Sequence, residues 1–562
     1  MPLQMLTTRA TPKATKQAAR YTPAGGAERC GMCRHYAPSS SCARIEGPIS
    51  AAGWCMLFSR QVTYADHAGQ ATVLGGPPGV TLDLSFMTPG TLDPRITFTR
   101  ASTATYFDSS GVMQTAATNL ALQSADLNNA VWAKGNGGSG APVAPVTTAN
   151  QATAPDGTLT AARIVYPAVA SGGYSFVYQS IAVTAAVYTW SVWLRGNVGG
   201  ERVYISATQN TSAYYELSCT LTTAWQRFSL KTPALSALVW LFQVGSDQRD
   251  PAQGVQSAAT IFAWGAQVEL GSSATFYIPT TTVANGAPRW DYDPVTHVLN
   301  GLRIEEARTN SVLNSATLVT QNVTVTAVPW TLSFYGTGTV TLSGVSTAGP
   351  LTGTGAANRV ALAFTPTAGT LTLTVTGSVT SAQLEVGTFA TSYIPTAGAA
   401  ATRAIEICTM PTAAWFNTAV GSAVTDLMLP QVLSTGSNIE MLGLDQGATT
   451  DIIAARQSGA SIIFSTNSFV AGVGKGGPGV AAPVLVAGLV SRAGFTYNVS
   501  SAVITVALNG STVTSSTTTG LPTAISRCTF GTGRNTPLNG YLRRVRYWPR
   551  ALTNAELQSV TT

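Results

Sequence analysis

Charge is scarce in this chain. Asp, Glu, Lys and Arg make up 10% of its 562 residues, where a soluble globular domain usually carries ~25%. Histidine is scarcer still: His35, His67 and His297 stand far apart, so a Ser-His-Asp triad has little to draw on. No glycine-rich phosphate loop occurs. Long apolar runs are missing too, because Thr, Ser and Gly interrupt each one well short of ~18 residues, which excludes a helical membrane span. The N-terminal residues are basic without an apolar core segment, so no secretory signal is expected. Production and retention in a cytoplasm until assembly or lysis is the corresponding expectation.

What fills the space is Thr, Ser, Ala, Val and 54 Gly, with 11 Trp and 18 Tyr. That many aromatics argues against disorder. β-branched residues with many turn-forming glycines predict a mainly β chain of serial antiparallel β-sandwiches. At about 150 residues each, three or four domains fit. A surface so poor in charge is expected to be buried against copies of itself. The net charge is +7, and nearly all of it sits in residues 1–60, where eight basic residues face Glu28 and Glu46. Such an arm suits an acidic protein surface or nucleic acid; no specific nucleic acid is expected.

One phrase occurs twice. Ala266-Gln-Val-Glu-Leu-Gly followed by Phe276-Tyr-Ile-Pro-Thr280 returns as Ala382-Gln-Leu-Glu-Val-Gly followed by Ser392-Tyr-Ile-Pro-Thr396, 116 residues later. Thr184–Trp193 matches Thr326–Tyr335 at an offset of 142, and Asn119–Ala125 matches Asn310–Ala316 at 191. The order is kept while the offset shrinks, so the second copy is the first with its loops cut down.

In chain order, residues 1–25 read as a basic extended arm. Cys30, Cys33, Cys42 and Cys55 then fall within 26 residues, defining an anchor domain over 26–60. With no export signal, disulfides fit poorly. Structural zinc usually takes two Cys-x-x-Cys knuckles and only one is present, whereas a cubane cluster takes four thiolates from one short wrap. A [4Fe–4S] cluster and zinc both stay open, the cluster preferred. Cys219, Cys408 and Cys528 read as buried small residues. Residues 61–118 form a connector, 119–284 a first sandwich, 285–309 a second connector, 310–402 a shortened spacer sandwich and 403–562 a last sandwich. In the first, Tyr188, Trp190, Val192 and Leu194 share one strand face. In the second connector, Asp291 and Asp293 are candidate calcium ligands. Glu305 and Glu306 point to opposite faces of a strand and make a poor catalytic pair. Thr553 and Glu556 predict a capping box on a terminal helix.

Several stretches resemble known families. Cys30-x-x-Cys33, Cys42 and Gly53-Trp-Cys55 resemble the high-potential iron–sulfur proteins, which implies a [4Fe–4S] cluster on those four cysteines. The Tyr188–Trp193 strand, Trp225-Gln-Arg-Phe228 and Ala266–Leu270 resemble jelly-roll carbohydrate-binding modules. That resemblance implies sugar binding on aromatic platforms without chemistry, with Trp193, Tyr214 and Tyr215 as candidates. Phe98–Gly111 together with Pro288–Pro294 and Gly301–Asn310 resembles tailed-bacteriophage fibre and spike proteins, in which the two phrases usually adjoin; here the first module is inserted between them. Leu538–Leu557 resembles the closing strand and helical turn of laminin-G/concanavalin-like sandwiches. These resemblances imply a structural virion protein, a head or tail fibre or spike. It would be anchored to other virion proteins through residues 1–60, homotrimeric, and used for host-surface glycan recognition, with 403–562 as the distal binding head and 119–280 as an auxiliary glycan-binding site. An enzyme is not expected; the alternative is a polysaccharide depolymerase tailspike.

Overall fold

The computed structural model describes residues 36–37, 41–42, 77–90, 92–209, 213–249, 255–432, 438–447, 450–458, 463–533 and 536–562. The chain divides into two compact units, 1–82 and 83–562. In the first, Tyr36–Ala37 pairs antiparallel with Ser41–Cys42. Cys30, Cys33 and Cys55 lie outside the described residues, and only the backbone of Cys42 is described. The second unit is a series of antiparallel β-sandwiches, as the composition predicts, closed by the one helix found among the described residues, Asn554–Val560.

The first sandwich faces two five-stranded sheets against each other. One runs Gln226–Leu235, Ala186–Gly196, Ala259–Leu270, Ala161–Tyr166, Val146–Ala152; the other runs Tyr214–Thr220, Arg202–Thr208, Val239–Asp247, Gly173–Ala182, Ala133–Gly138. Alternation on each strand sends one set of side chains inward. Tyr188, Trp190, Val192 and Leu194 enter the core as the pattern predicts, meeting Trp132, Phe242 and Ile261. Each aliphatic side chain fully buried there contributes about 1.5–3 kcal/mol.

The second sandwich repeats this plan with fewer strands. Gly355–Phe364, Trp330–Gly336 and Val379–Val386 form one sheet; Gln321–Val325, Gly369–Thr376, Thr339–Gly344 and Leu351–Thr352 form the other. Counterparts of Ala133–Gly138, Val146–Ala152 and Ala161–Tyr166 are absent from it, which accounts for the large early fall in offset.

The repeated phrase proves to be a buried polar clasp, the same in both copies. Asn119 donates through Nδ2 to the carbonyls of Ala266 and Ile278 at 2.9 and 2.8 Å. Asn310 does so to Ala382 and Ile394 at 2.9 and 2.8 Å. Gln267 Nε2 donates to Glu269, and Gln383 Nε2 to Glu385. Ser124 meets the Tyr277 hydroxyl at 2.7 Å and Ser315 meets that of Tyr393 at 2.7 Å. These side chains satisfy the backbone groups where each sandwich's entry and exit strands meet, groups that would otherwise be buried without partners.

The last sandwich recruits strands from the two segments read as connectors. Its first sheet runs Trp290–Tyr292, Leu299–Ile304, Gly540–Trp548, Val420–Met428, Val490–Asn498, Val503–Leu508, Thr514–Thr517. Its second runs Val473–Gly476, Phe464–Val470, Ile452–Gln457, Ile439–Asp445, Arg527–Phe530, Ile407–Pro411, Thr97–Thr99. Both repeat sandwiches are therefore insertions into this one, and the chain returns to it after each excursion.

Candidate functional site

The returns converge on a buried ion network. Arg100, Arg289 and Arg403 are each 0% exposed. Glu406 accepts from Arg100 Nη1 at 2.6 Å, from Arg289 Nε at 2.8 Å and from Arg289 Nη2 at 2.7 Å. Glu305 accepts from Arg289 and Arg303, each at 2.8 Å, and from the Ser392 amide at 2.8 Å. Burial alone would raise the pKa of Glu305; Arg303, Arg403 and Arg289 outweigh it and hold the group well below the usual carboxylate range. These carboxylates are tied ionised to structural arginines, an arrangement that fixes geometry and offers no proton to a substrate. Glu306 faces away, paired with Arg308. Asp291 accepts from Arg303, from the Tyr541 hydroxyl and from the Phe107 amide, whereas Asp293 caps the turn at Val295 and Thr296. The two aspartates thus serve separate structures, and among the described residues no group of three His, Cys, Asp or Glu could hold a metal ion.

A different surface has the makings of a binding site: the outer face of the second sheet of the first sandwich. On Gly173–Ala182, Val177 and Ile181 enter the core, so alternation turns Tyr174, Phe176 and Tyr178 to the other face, where the two tyrosines are half-exposed and Phe176, at 3% exposure, is covered. The three rings form a file. Tyr174 stacks on Phe176 at 5.4 Å and 24°, and Phe176 meets Tyr178 edge-on at 5.6 Å. Arg249 lies 3.9 Å over the Tyr174 ring, its guanidinium fixed by Asp247 through bonds of 2.7 and 2.6 Å. Gly135 lies across from Phe176; a Cβ there would come within 2.4 Å of the ring, so only glycine admits the ring at this place. Next to the file is Gln243, opposite Tyr178 on one side and Ser206 on the other. Its side chain is 1% exposed, and neither its Nε2 nor its Oε1 has a hydrogen-bond partner. An unpaired buried polar group costs about 1–3 kcal/mol, and here one carboxamide leaves both a donor and an acceptor unused.

The candidates named from sequence are not brought together. Tyr214 and Tyr215 are neighbours on one strand and so point to opposite faces. Tyr215 turns inward and stacks on Trp240 at 5.7 Å, while Tyr214 turns to the outer face that carries Gln243. Trp193 belongs to the other sheet. It lies across from Arg227 and Trp264 and packs with Trp264, Trp225 and Tyr277 in a satellite apolar cluster. The sequence does not single out Tyr174, Phe176, Tyr178 or Gln243. The alternation of Gly173-Tyr-Ser-Phe-Val-Tyr was the available signal, but which face is outward depends on the sheet partner.

No protein-family model matches the chain, and no curated protein matches it. Partial likenesses to solved structures exist. The "IT-sialidase CBM40" of Ruminococcus gnavus is 14% identical over 26% of this chain and 84% of its own, with a TM-score of 0.22. The NanB sialidase of Streptococcus pneumoniae is 16% identical over 26% of this chain and 24% of its own, with a TM-score of 0.23. The enzymatically active domain of tailspike protein 4 of bacteriophage CBA120 is 13% identical over 27% of this chain and 21% of its own, with a TM-score of 0.21. The chain thus spans about a quarter of the sialidase and a fifth of the tailspike domain. No helix among the described residues is long and apolar enough to cross a membrane.

Proposed function

We propose that this protein recognises a host-surface glycan through the outer face of its first sandwich and does no chemistry on it. The observation that carries this reading is the aromatic file, whose half-exposed Tyr174 and Tyr178 flank Phe176 beside the buried, unpartnered carboxamide of Gln243. A sugar hydroxyl is both acceptor and donor, and the C–H face of a pyranose suits a half-exposed tyrosine. Binding without catalysis is supported by the fate of Glu305, Glu406 and Asp291, all held by arginine. The wider setting we infer is a bacteriophage fibre or spike, homotrimeric and residing in the virion. The support is the fibre-like wording around Phe98–Gly111 and Gly301–Asn310, the low charge, and the basic segment 1–60 as attachment end. There Cys30, Cys33, Cys42 and Cys55 would hold a [4Fe–4S] cluster, or zinc, supplying the stability a segment too small for its own core lacks. A glycan array probed with the full chain, repeated with Gln243→Leu, tests the recognition. Binding lost in the variant while folding is kept supports it, and equal binding by both proteins contradicts it.

A further inference from the structure

A second site lies where the Thr105–Phe107 and Met113–Thr115 hairpin meets the shortened sandwich. A cavity of about 60 Å³ opens there, its walls including Tyr106, Met113, Arg303, Tyr335, Arg359 and Tyr393. Three donors on these residues lack acceptors. Arg303 uses Nη1 on Asp291 and Nη2 on Glu305, leaving a buried Nε without a partner. Arg359 uses Nη1 on the Thr391 carbonyl and Nη2 on Ser333, and its buried Nε is likewise free. It makes no ion pair among the described residues. The Tyr335 hydroxyl has no hydrogen bond among the described residues, and Arg359, Arg303 and Asp291 are the charged groups that act on it. The cavity's one carboxylate, Asp291, is already engaged by Arg303, Tyr541 and the Phe107 amide.

The first sandwich shows what is particular here. Arg227 makes the same two bonds as Arg359, to Thr275 and Ser191, and its Nε is also bare, so that feature belongs to the repeat. At the place of Tyr335 the first copy has Trp193, packed with Trp264 and Tyr277 in one apolar cluster, its Nε1 likewise without a partner. In the second copy a hydroxyl replaces the indole, Arg303 arrives from the neighbouring segment, and a cavity remains. A space of this size admits a carboxylate and excludes a sugar ring.

We propose that this cavity binds the carboxylate of an acidic sugar, with Arg303, Arg359 and Tyr335 as donors and the sugar ring left outside against the half-exposed Tyr106. Two guanidinium groups and a phenol around one acceptor-rich group form a charge-assisted set. The site is distinct from the Gln243 face and does not rest on it. Calorimetric titration of the full chain with sodium glucuronate, glucose and sodium acetate tests the proposal. Glucuronate is expected to bind at least 10-fold more tightly than glucose. Acetate, offering the carboxylate without the ring, is expected to compete more weakly than glucuronate. Tyr335→Phe removes only a hydroxyl that holds nothing else, and Met113→Trp fills the mouth from a half-exposed position. Each should weaken glucuronate at least 10-fold, whereas Gln243→Leu should leave it unchanged. Equal affinity for glucose and glucuronate, or full affinity in both Tyr335→Phe and Met113→Trp, overturns it. Acetate binding as tightly as glucuronate overturns the role of the sugar.

Discussion

Replacing Glu406 by glutamine removes the charge on which two fully buried arginines converge. The carboxylate takes four donors: Arg100 Nη1, Arg289 Nε, Arg289 Nη2 and the Glu305 amide. Glutamine keeps the shape but offers one acceptor oxygen and turns an N–H₂ group toward guanidinium. Arg100 retains only carbonyl partners, those of Ser102 and Ala287. Removing one member of a buried ion pair costs about 3–5 kcal/mol, a large share of the ~5–15 kcal/mol that stabilises a domain. Because several sandwiches need not unfold in one step, hydrogen exchange resolved by strand is the suitable assay. Amides of Leu299–Ile304 and Gly540–Trp548, which pair with each other in the last sandwich, should exchange roughly 10²- to 4 × 10³-fold faster. Strands inside the first sandwich, which has its own core, should change little. A change under about 5-fold in the last sandwich, or an equal change everywhere, would refute the view that this network clasps the returning chain.

Other outcomes follow from the same structure. Gln243→Leu removes two unpartnered polar atoms, so thermal unfolding should show stability unchanged or raised by about 1 kcal/mol even as glycan binding is lost. Thr553→Ala removes the cap that accepts from the Glu556 amide and should cost about 1 kcal/mol in denaturant unfolding. Glu406, whose burial is outweighed by Arg289 and then Arg100, has a lowered pKa, as has Glu305. A depressed carboxylate stabilises the fold above its unfolded pKa, so stability should hold above about pH 4.3 and fall progressively below it; a melting temperature flat from pH 6 to 3 would contradict this. Anaerobically purified protein should contain iron and absorb near ~400 nm if Cys30, Cys33, Cys42 and Cys55 hold a cluster; colourless protein with stoichiometric zinc would assign the site to zinc.

Much of the architecture was legible because it is written in local patterns. The repeat could be read from Asn119 and Asn310 and from the doubled Ala-Gln-x-Glu-x-Gly phrase, since the clasp needs those side chains at fixed places. The capping box of Thr553 and Glu556 was legible for the same reason. The recruitment of Thr97–Thr99, Trp290–Tyr292 and Leu299–Ile304 into the last sandwich was not. Pairing of Cys408 with Phe98 joins residues some three hundred positions apart, and no local period encodes it. The site residues suffered similarly. Trp193 and Tyr215 are half-exposed rings that also pack against apolar neighbours, and how much of each ring is left to solvent is set by what covers the strand. Gln243, an unremarkable amide in sequence, acquires meaning only once its neighbours leave it without partners.

The most direct test of the account is a titration of the full chain with the glycan that an array selects, followed by amide and aromatic NMR shifts or by exchange protection. Perturbation is expected to concentrate on Gly173–Ala182 and Val239–Asp247 and to be abolished by Gln243→Leu. Binding that perturbs only residues 403–562, with Gly173–Ala182 unaffected, would contradict it.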